Sequence, residues 1–278
     1  MNTATPLFPT PQLRAVSWLA VLLCLAAVLA GCATQGSSYS GSGATELETA
    51  ADDTEARKRA RTRLELASSY LQDNKPMIAL EEQKKAVRID PSFYEVYALG
   101  GVIYMHMGET QLAFANFERA IALNGRDADS MHNMGWLHCQ EGRYPQAAAL
   151  FKRALSVPIY TGKSKTMMAK GICEARAGDT SAAEVSLKQA HEADPGNPVI
   201  SYSLAHLLFE RGDARGARSY IRPVNNGQYA NAQSLWLGIK VERALGNQRA
   251  ASELAEHLRR RHPSSQELMS YEKGAFNE

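Results

Sequence analysis

The sequence predicts an all-α chain, a solenoid of six helix-turn-helix repeats closed by a C-terminal capping helix. Three observations carry that reading. One pattern of small and large residues returns with a period of about 34 residues. Glycines recur where two helices of a unit would turn, at Gly108, Gly142, Gly178, Gly212 and Gly246. Helix stops recur at the ends of units, as Asp90-Pro91, Asp194-Pro195 and His262-Pro263. No alternating β pattern competes anywhere in the chain.

The pattern is the tetratricopeptide-repeat spacing. Each unit places a small residue on each of its two helices where they cross: Ala67 with Ala79, Gly101 with Ala113, Gly135 with Ala147, Gly171 with Ala183. Tyr70, Tyr104, Phe117 and Phe151 fill the space beside the crossing. The turn glycines supply left-handed backbone angles at no steric cost. Stacked helix pairs of this kind present an extended concave surface and are usually binders.

The N-terminal region precedes the repeats. Arg14 is followed by an apolar run over 15–30, sixteen residues. That falls short of the ~20 needed to span a bilayer and suits a secretory leader. The run ends in Leu29-Ala30-Gly31-Cys32, which resembles the lipobox of bacterial lipoproteins. The resemblance implies a signal peptide over 1–31 and a mature chain that starts at Cys32. Its thiol would take diacylglycerol and its amine an N-acyl chain; no other cofactor and no metal is expected. Several acyl chains make a stable anchor at ~0.8 kcal/mol per buried CH₂. Ala33, in place of the aspartate of an inner-membrane retention signal, favours the outer membrane, with the repeats in the periplasm. Residues 32–55 are rich in Ser and Gly and read as a flexible tether with a reach of roughly 25 Å.

The superhelix is expected over 56–278, with repeats at about 60–93, 94–127, 128–161, 164–197, 198–231 and 232–265. The third repeat overruns its period by two residues within 156–163. The fifth carries Pro223 in its second helix, which is expected to be short and kinked. The stretch 264–278 has helical pattern through Leu268, Met269 and Tyr271, as a cap over the last apolar face requires.

Bulk composition narrows the function. Formal net charge is +2, with 31 basic and 29 acidic residues scattered along the chain, and 8% of residues are aromatic. That balance points away from nucleic acid. The basic clusters over 57–61 and 259–262 read as solvated helix faces. The seven histidines form no His-Glu-x-x-His run, and neither a phosphate-binding glycine loop nor a CxxC pair is present. No catalytic constellation and no small-molecule substrate is expected. Of the four cysteines, Cys24 leaves with the leader and Cys32 takes the lipid. Cys139 and Cys173 remain, on the first helices of consecutive repeats and in an oxidising export route. A disulfide is expected, with two buried thiols as the alternative.

A site would lie on the inner groove. Inward-facing positions of the first helices include Leu64, Ser68, Val102, His106, His132 and Trp136. Further along come Met168, Ile172, Arg176, Tyr202, His206, Phe209, Trp236 and Lys240. The set is apolar and aromatic with a few polar handles, which suits a peptide or helix laid into a groove. Each of these residues has packing against a neighbouring repeat as its alternative role. The repeated Lys, Arg and Asn of carboxylate-clamp grooves are absent.

Four stretches resemble one family. They are 133–143 with Trp136 and Cys139, 171–179 with Cys173, Ser234-Leu235-Trp236-Leu237-Gly238-Ile239-Lys240, and Tyr271-Glu272-Lys273-Gly274-Ala275-Phe276. The sequence is similar to the PilF/PilW lipoproteins of type IV pilus biogenesis, the pilotins, from about residue 56 to 278 and at the lipobox. The resemblance implies six repeats, a lipid anchor in the outer membrane, and help in localising or multimerising the secretin PilQ, with other pilus assembly proteins as further partners. The family's cysteine pair favours the bridge, and Pro223 is the departure. The alternative function is a repeat lipoprotein adaptor that regulates cell-wall enzymes.

Overall fold

The computed structural model describes residues 53–276, all within one compact unit. The expected leader over 1–31, lipidated Cys32 and most of the tether lie outside the described residues. The first helix among the described residues, α1 (Glu55–Gln72), is N-capped by the Thr54 hydroxyl, and Asp53 pairs with Arg61 at 2.8 Å. Residues 53–55, the last three placed in the tether, therefore belong to the start of α1 and its cap.

Twelve helices then follow α1. They are α2 (Pro76–Ile89), α3 (Tyr94–His106), α4 (Thr110–Leu123), α5 (Ala128–Gln140), α6 (Tyr144–Leu155), α7 (Lys163–Arg176) and α8 (Thr180–Ala193). After these come α9 (Pro198–Glu210), α10 (Ala214–Asn226), α11 (Ala232–Ala244), α12 (Gln248–Arg261) and α13 (Gln266–Glu272). They form six antiparallel pairs and a closing helix, an all-α tetratricopeptide solenoid. Side-chain caps set many starts: Asp127, Asp179, Asn197, Asp213, Asn247 and Ser265 each accept from a backbone N–H of the first turn. Asn231 and Ser234 cap reciprocally at α11. The turn glycines of repeats two to six all have positive φ, and in the first repeat Asn74 takes that place at φ 58°. Asn is one of the few side chains that tolerates it.

Each pair closes on its crossing. Ala67, Ala79, Ala113, Ala147 and Ala183 are fully buried, as are Phe117 and Phe151. Between repeats, each first helix packs on the second helix of the unit before it and also touches the first helix of that unit. Second helices of consecutive units do not meet among the described residues. The stack therefore bends around its first helices, which line the inner face, and clefts open between the second helices outside.

Pro223 does not shorten its helix. α10 has 13 residues, as do α9 and α11, and continues through Pro223 to Asn226. The proline stands one turn from the helix end, so only the Ser219 carbonyl loses an intrahelical partner. The overrun after α6 is folded into the core: Val157 and Tyr160 are buried with Met131, Leu150 and Ala154. At the far end Leu268 of α13 is buried against Leu235, Ile239 and Leu258, with Tyr271 and Phe276 beside it.

Candidate binding groove

The inner face divides into two stretches. Over repeats one and two it carries few free side chains. Leu64 packs on the cluster of Ala60, Phe93 and Val96, and Val102 on that of Ala113 and Phe117. Ser68 is half-buried on α1. His106 is exposed, and its Nε2 lies 2.9 Å from Asn74 Oδ1, tying the first two repeats.

From repeat three onward a continuous aromatic and cationic ladder appears. The Arg176 guanidinium of α7 lies 5.3 Å from the centre of the Trp136 ring on α5. Met168 and Ile172 pack on the apolar cluster that contains Ala183, Leu187, Leu204 and Leu208. Tyr202 and His206 of α9 stand 6.0 Å apart, ring to ring. Ile172, Arg176, Tyr202, His206, Leu207 and Glu210 bound a mainly apolar cleft of about 440 Å³. The Lys240 ammonium of α11 lies over two rings, 5.5 Å from Phe209 and 5.8 Å from Trp236. Trp236 stacks at 5.2 Å on Phe276, and Arg243 caps Phe276 at 3.7 Å.

Charge over aromatic faces fixes these side chains. Each contact of this type stabilises by about 0.5–1 kcal/mol where exposed. The Trp136, Phe209 and Trp236 rings are thus held in set orientations, with little ordering cost on binding. Desolvation by the cleft walls pushes the His206 pKa down; nearby Lys240 adds to this and Glu210 opposes it. Desolvation raises the Tyr202 phenol, and Glu267 adds to it. A neutral His206 and a protonated Tyr202 offer hydrogen bonds without charge. Among the described residues no group of three or more His, Cys, Asp and Glu could hold a metal.

His132 does not line the groove. It is only 5% exposed, with Nδ1 3.0 Å from the Thr166 hydroxyl, which bonds the Tyr160 hydroxyl at 2.9 Å. The third repeat's overrun is the cause, since it swings Tyr160 across α5 and α7. Phe276 and Arg243 extend the ladder and were not among the expected groove residues. The tail pattern that contains Phe276 was legible, but it read as a cap.

Behind the groove, Cys139 and Cys173 join as a disulfide between α5 and α7, with Cα atoms 5.7 Å apart. Both are buried beside Ala147, Phe151 and Ala169, and Trp136 packs on the same cluster. The bridge thus fixes the joint at which Trp136 meets Arg176.

The chain is similar to several known proteins. Tetratricopeptide-repeat family models match residues 97–158 and 174–235. Type IV pilus assembly protein PilF of Pseudomonas aeruginosa is 25% identical over 253 residues, which span 91% of this chain and 97% of that protein. An uncharacterised protein of Haemophilus influenzae is 30% identical over 135 residues, 49% of this chain and 75% of its own length. The crystal structure of PilW, a widely conserved type IV pilus biogenesis factor, is 28% identical and superposes with a TM-score of 0.71, covering 76% of this chain and 97% of that one.

Proposed function

This chain belongs to the tetratricopeptide-repeat proteins of the PilF/PilW type, non-enzymatic scaffolds of type IV pilus biogenesis, and we propose that it is an outer-membrane lipoprotein that binds a secretin subunit. In this reading Cys32 carries the acyl chains, the tether lets the repeats stand in the periplasm, and the groove of repeats three to six takes a segment of the secretin. Holding both partners at one bilayer raises the local concentration of secretin and favours its insertion and multimerisation. No bond is made or broken.

The observation that carries this reading is the ladder from Trp136 through Arg176, Tyr202, Phe209, Lys240 and Trp236 to Phe276. Pre-oriented aromatic and arginine side chains on a concave face are what polypeptide hot spots are made of. The test is complementation of a deletion strain with Trp136→Ala, Trp236→Ala and their double variant. Secretin multimers in the outer membrane are then quantified by denaturant-resistant electrophoresis. The double variant is expected to lose most multimers while the variant protein itself stays at normal abundance. Normal multimers in the deletion strain would overturn the reading. Recovery of murein hydrolases in place of secretin on affinity capture would replace it with a cell-wall adaptor.

A further inference from the structure

A second cleft opens on the outer side of the solenoid, between α10 and α12, with α11 as its floor. Its volume is about 600 Å³. Gly238 of the floor is two residues beyond Trp236, which is about 200° around the helix. The cleft is therefore back to back with the aromatic groove and shares no side chain with the ladder.

Asn225 stands in this cleft, only 4% exposed, and neither its Oδ1 nor its Nδ2 has a hydrogen-bond partner. A buried carboxamide with both ends unmade is destabilising until a partner satisfies it. The equivalent residue is Val87, Ile121 or Leu155 in the first three repeats. In the fourth it is His191, whose Nδ1 lies 3.4 Å from the Ser201 hydroxyl. The fifth repeat alone holds a polar side chain there without a partner. Gly238 makes room for it, because a Cβ on Gly238 would collide with Asn225 Nδ2.

The rest of the cleft is biased towards cations. Glu242 already accepts from Arg218 Nε at 2.8 Å and from Asn247 Nδ2 at 3.0 Å. Glu253 pairs with Arg249 at 3.0 Å. Arg222 and Arg261 are exposed on the walls, and neither joins an ion pair among the described residues. The buried Glu242 carboxylate is thus held by its own partners, Glu253 is in an exposed pair, and two guanidinium groups have no ion-pair partner among the described residues.

A carboxamide with donor and acceptor both unmade is complementary to the adjacent N–H and C=O of one residue in an extended peptide. Guanidinium forks are complementary to carboxylates. We propose that this cleft is a second binding site, which takes an extended acidic segment of a partner polypeptide, its backbone paired with Asn225 and its carboxylates held by Arg222 and Arg261. The site is independent of the groove and of the partner assigned to it.

The experiment uses full-length protein purified in detergent. The probe is a pool of fluorescein-labelled decapeptides with Asp or Glu at alternate positions and uncharged residues between, followed by anisotropy at low salt. A matching pool with Lys in the acidic positions is the control. Saturable binding of the acidic pool alone is expected, weakened about tenfold or more, 1.4 kcal/mol, by Asn225→Leu and by Arg222→Glu with Arg261→Glu. Trp236→Ala is expected to leave it unchanged. Asn225→Leu removes unpaired polar atoms, so it is expected to melt no lower than the wild type; the surface arginine variant covers the case in which it misfolds. Absent binding, equal binding of the Lys pool, or undiminished binding by both folded variants would each overturn the proposal. Loss of binding in Trp236→Ala would also overturn it, by assigning the peptide to the groove. Secretin multimer levels are read separately, so failure here leaves the groove reading standing.

Discussion

The Cys139–Cys173 disulfide closes a loop of one repeat, 34 residues, and joins the first helices of consecutive units with their Cα atoms 5.7 Å apart. A cross-link of that span restricts the unfolded chain by about 3–4 kcal/mol in the loop-entropy account. It also ties the two helices whose side chains, Trp136 and Arg176, meet in the groove. Reduction, or Cys139→Ala with Cys173→Ala, is expected to lower the melting temperature clearly and to raise amide exchange at the α5–α7 joint. Hydrogen exchange with and without reductant checks both.

His132 makes stability depend on pH. Burial lowers its pKa from 6.5 to about 4, and Lys165 adds to the effect. The unfolded chain therefore binds more protons than the folded one between those values. The stabilisation is complete above pH 6.5 and is lost progressively as pH falls towards 4, by about 3 kcal/mol in all at ~1.4 kcal/mol per unit. His138 and His206 are shifted the same way, both chiefly by desolvation. Thermal melts at neutral pH and at pH near 5 should differ, and His132→Gln should flatten that difference.

Gly101 is fixed by packing. A Cβ there would collide with the Phe117 ring, which is fully buried at the helix crossing of the second repeat. Gly101→Ala is expected to cost about 1–3 kcal/mol by overpacking. Chemical denaturation measures it. A simultaneous Phe117→Leu, which clears the collision, should recover part of the loss.

Leu268 secures the end of the stack. It is 4% exposed and covers Leu235, Ile239 and Leu258. Leu268→Ala is expected to cost about 2–5 kcal/mol and to fray the last repeat first. Residue-resolved hydrogen exchange would show protection lost from α12 before α5.

In the proposed function, membrane attachment depends on the Cys32 thiol. Cys32→Ala is expected to move the protein from the membrane fraction to the soluble fraction. Fractionation with immunoblotting checks it, and unchanged membrane association would remove the lipid anchor from the proposed function.

Much of the fold was legible because a short period repeats six times, so each local signal is read against five others. Crossing alanines, turn glycines and Asp-Pro stops each demand one conformation wherever they occur. The site was less legible. Inward positions could be counted along a first helix, and this placed Trp136, Arg176, Tyr202, Phe209, Trp236 and Lys240 on one face. His132 fell outside because two extra residues after α6 carried Tyr160 over it. Pro223 looked disruptive in sequence, yet only its distance from the helix end matters. Phe276 reached the groove through a turn at Gly274, φ 72°, that no periodicity encodes.

The sequence by itself determined the helix pairs, their order and their inward face, because those depend on contacts within about one period of the chain. Tertiary structure alone decided which side chains meet across joints between repeats. Arg176 over Trp136, Lys240 between two rings, and Asn225 left without a partner all arise from the angle at which one unit sits on the next. That angle is set by the summed volume of many buried residues at once, and no single spacing in the chain records it.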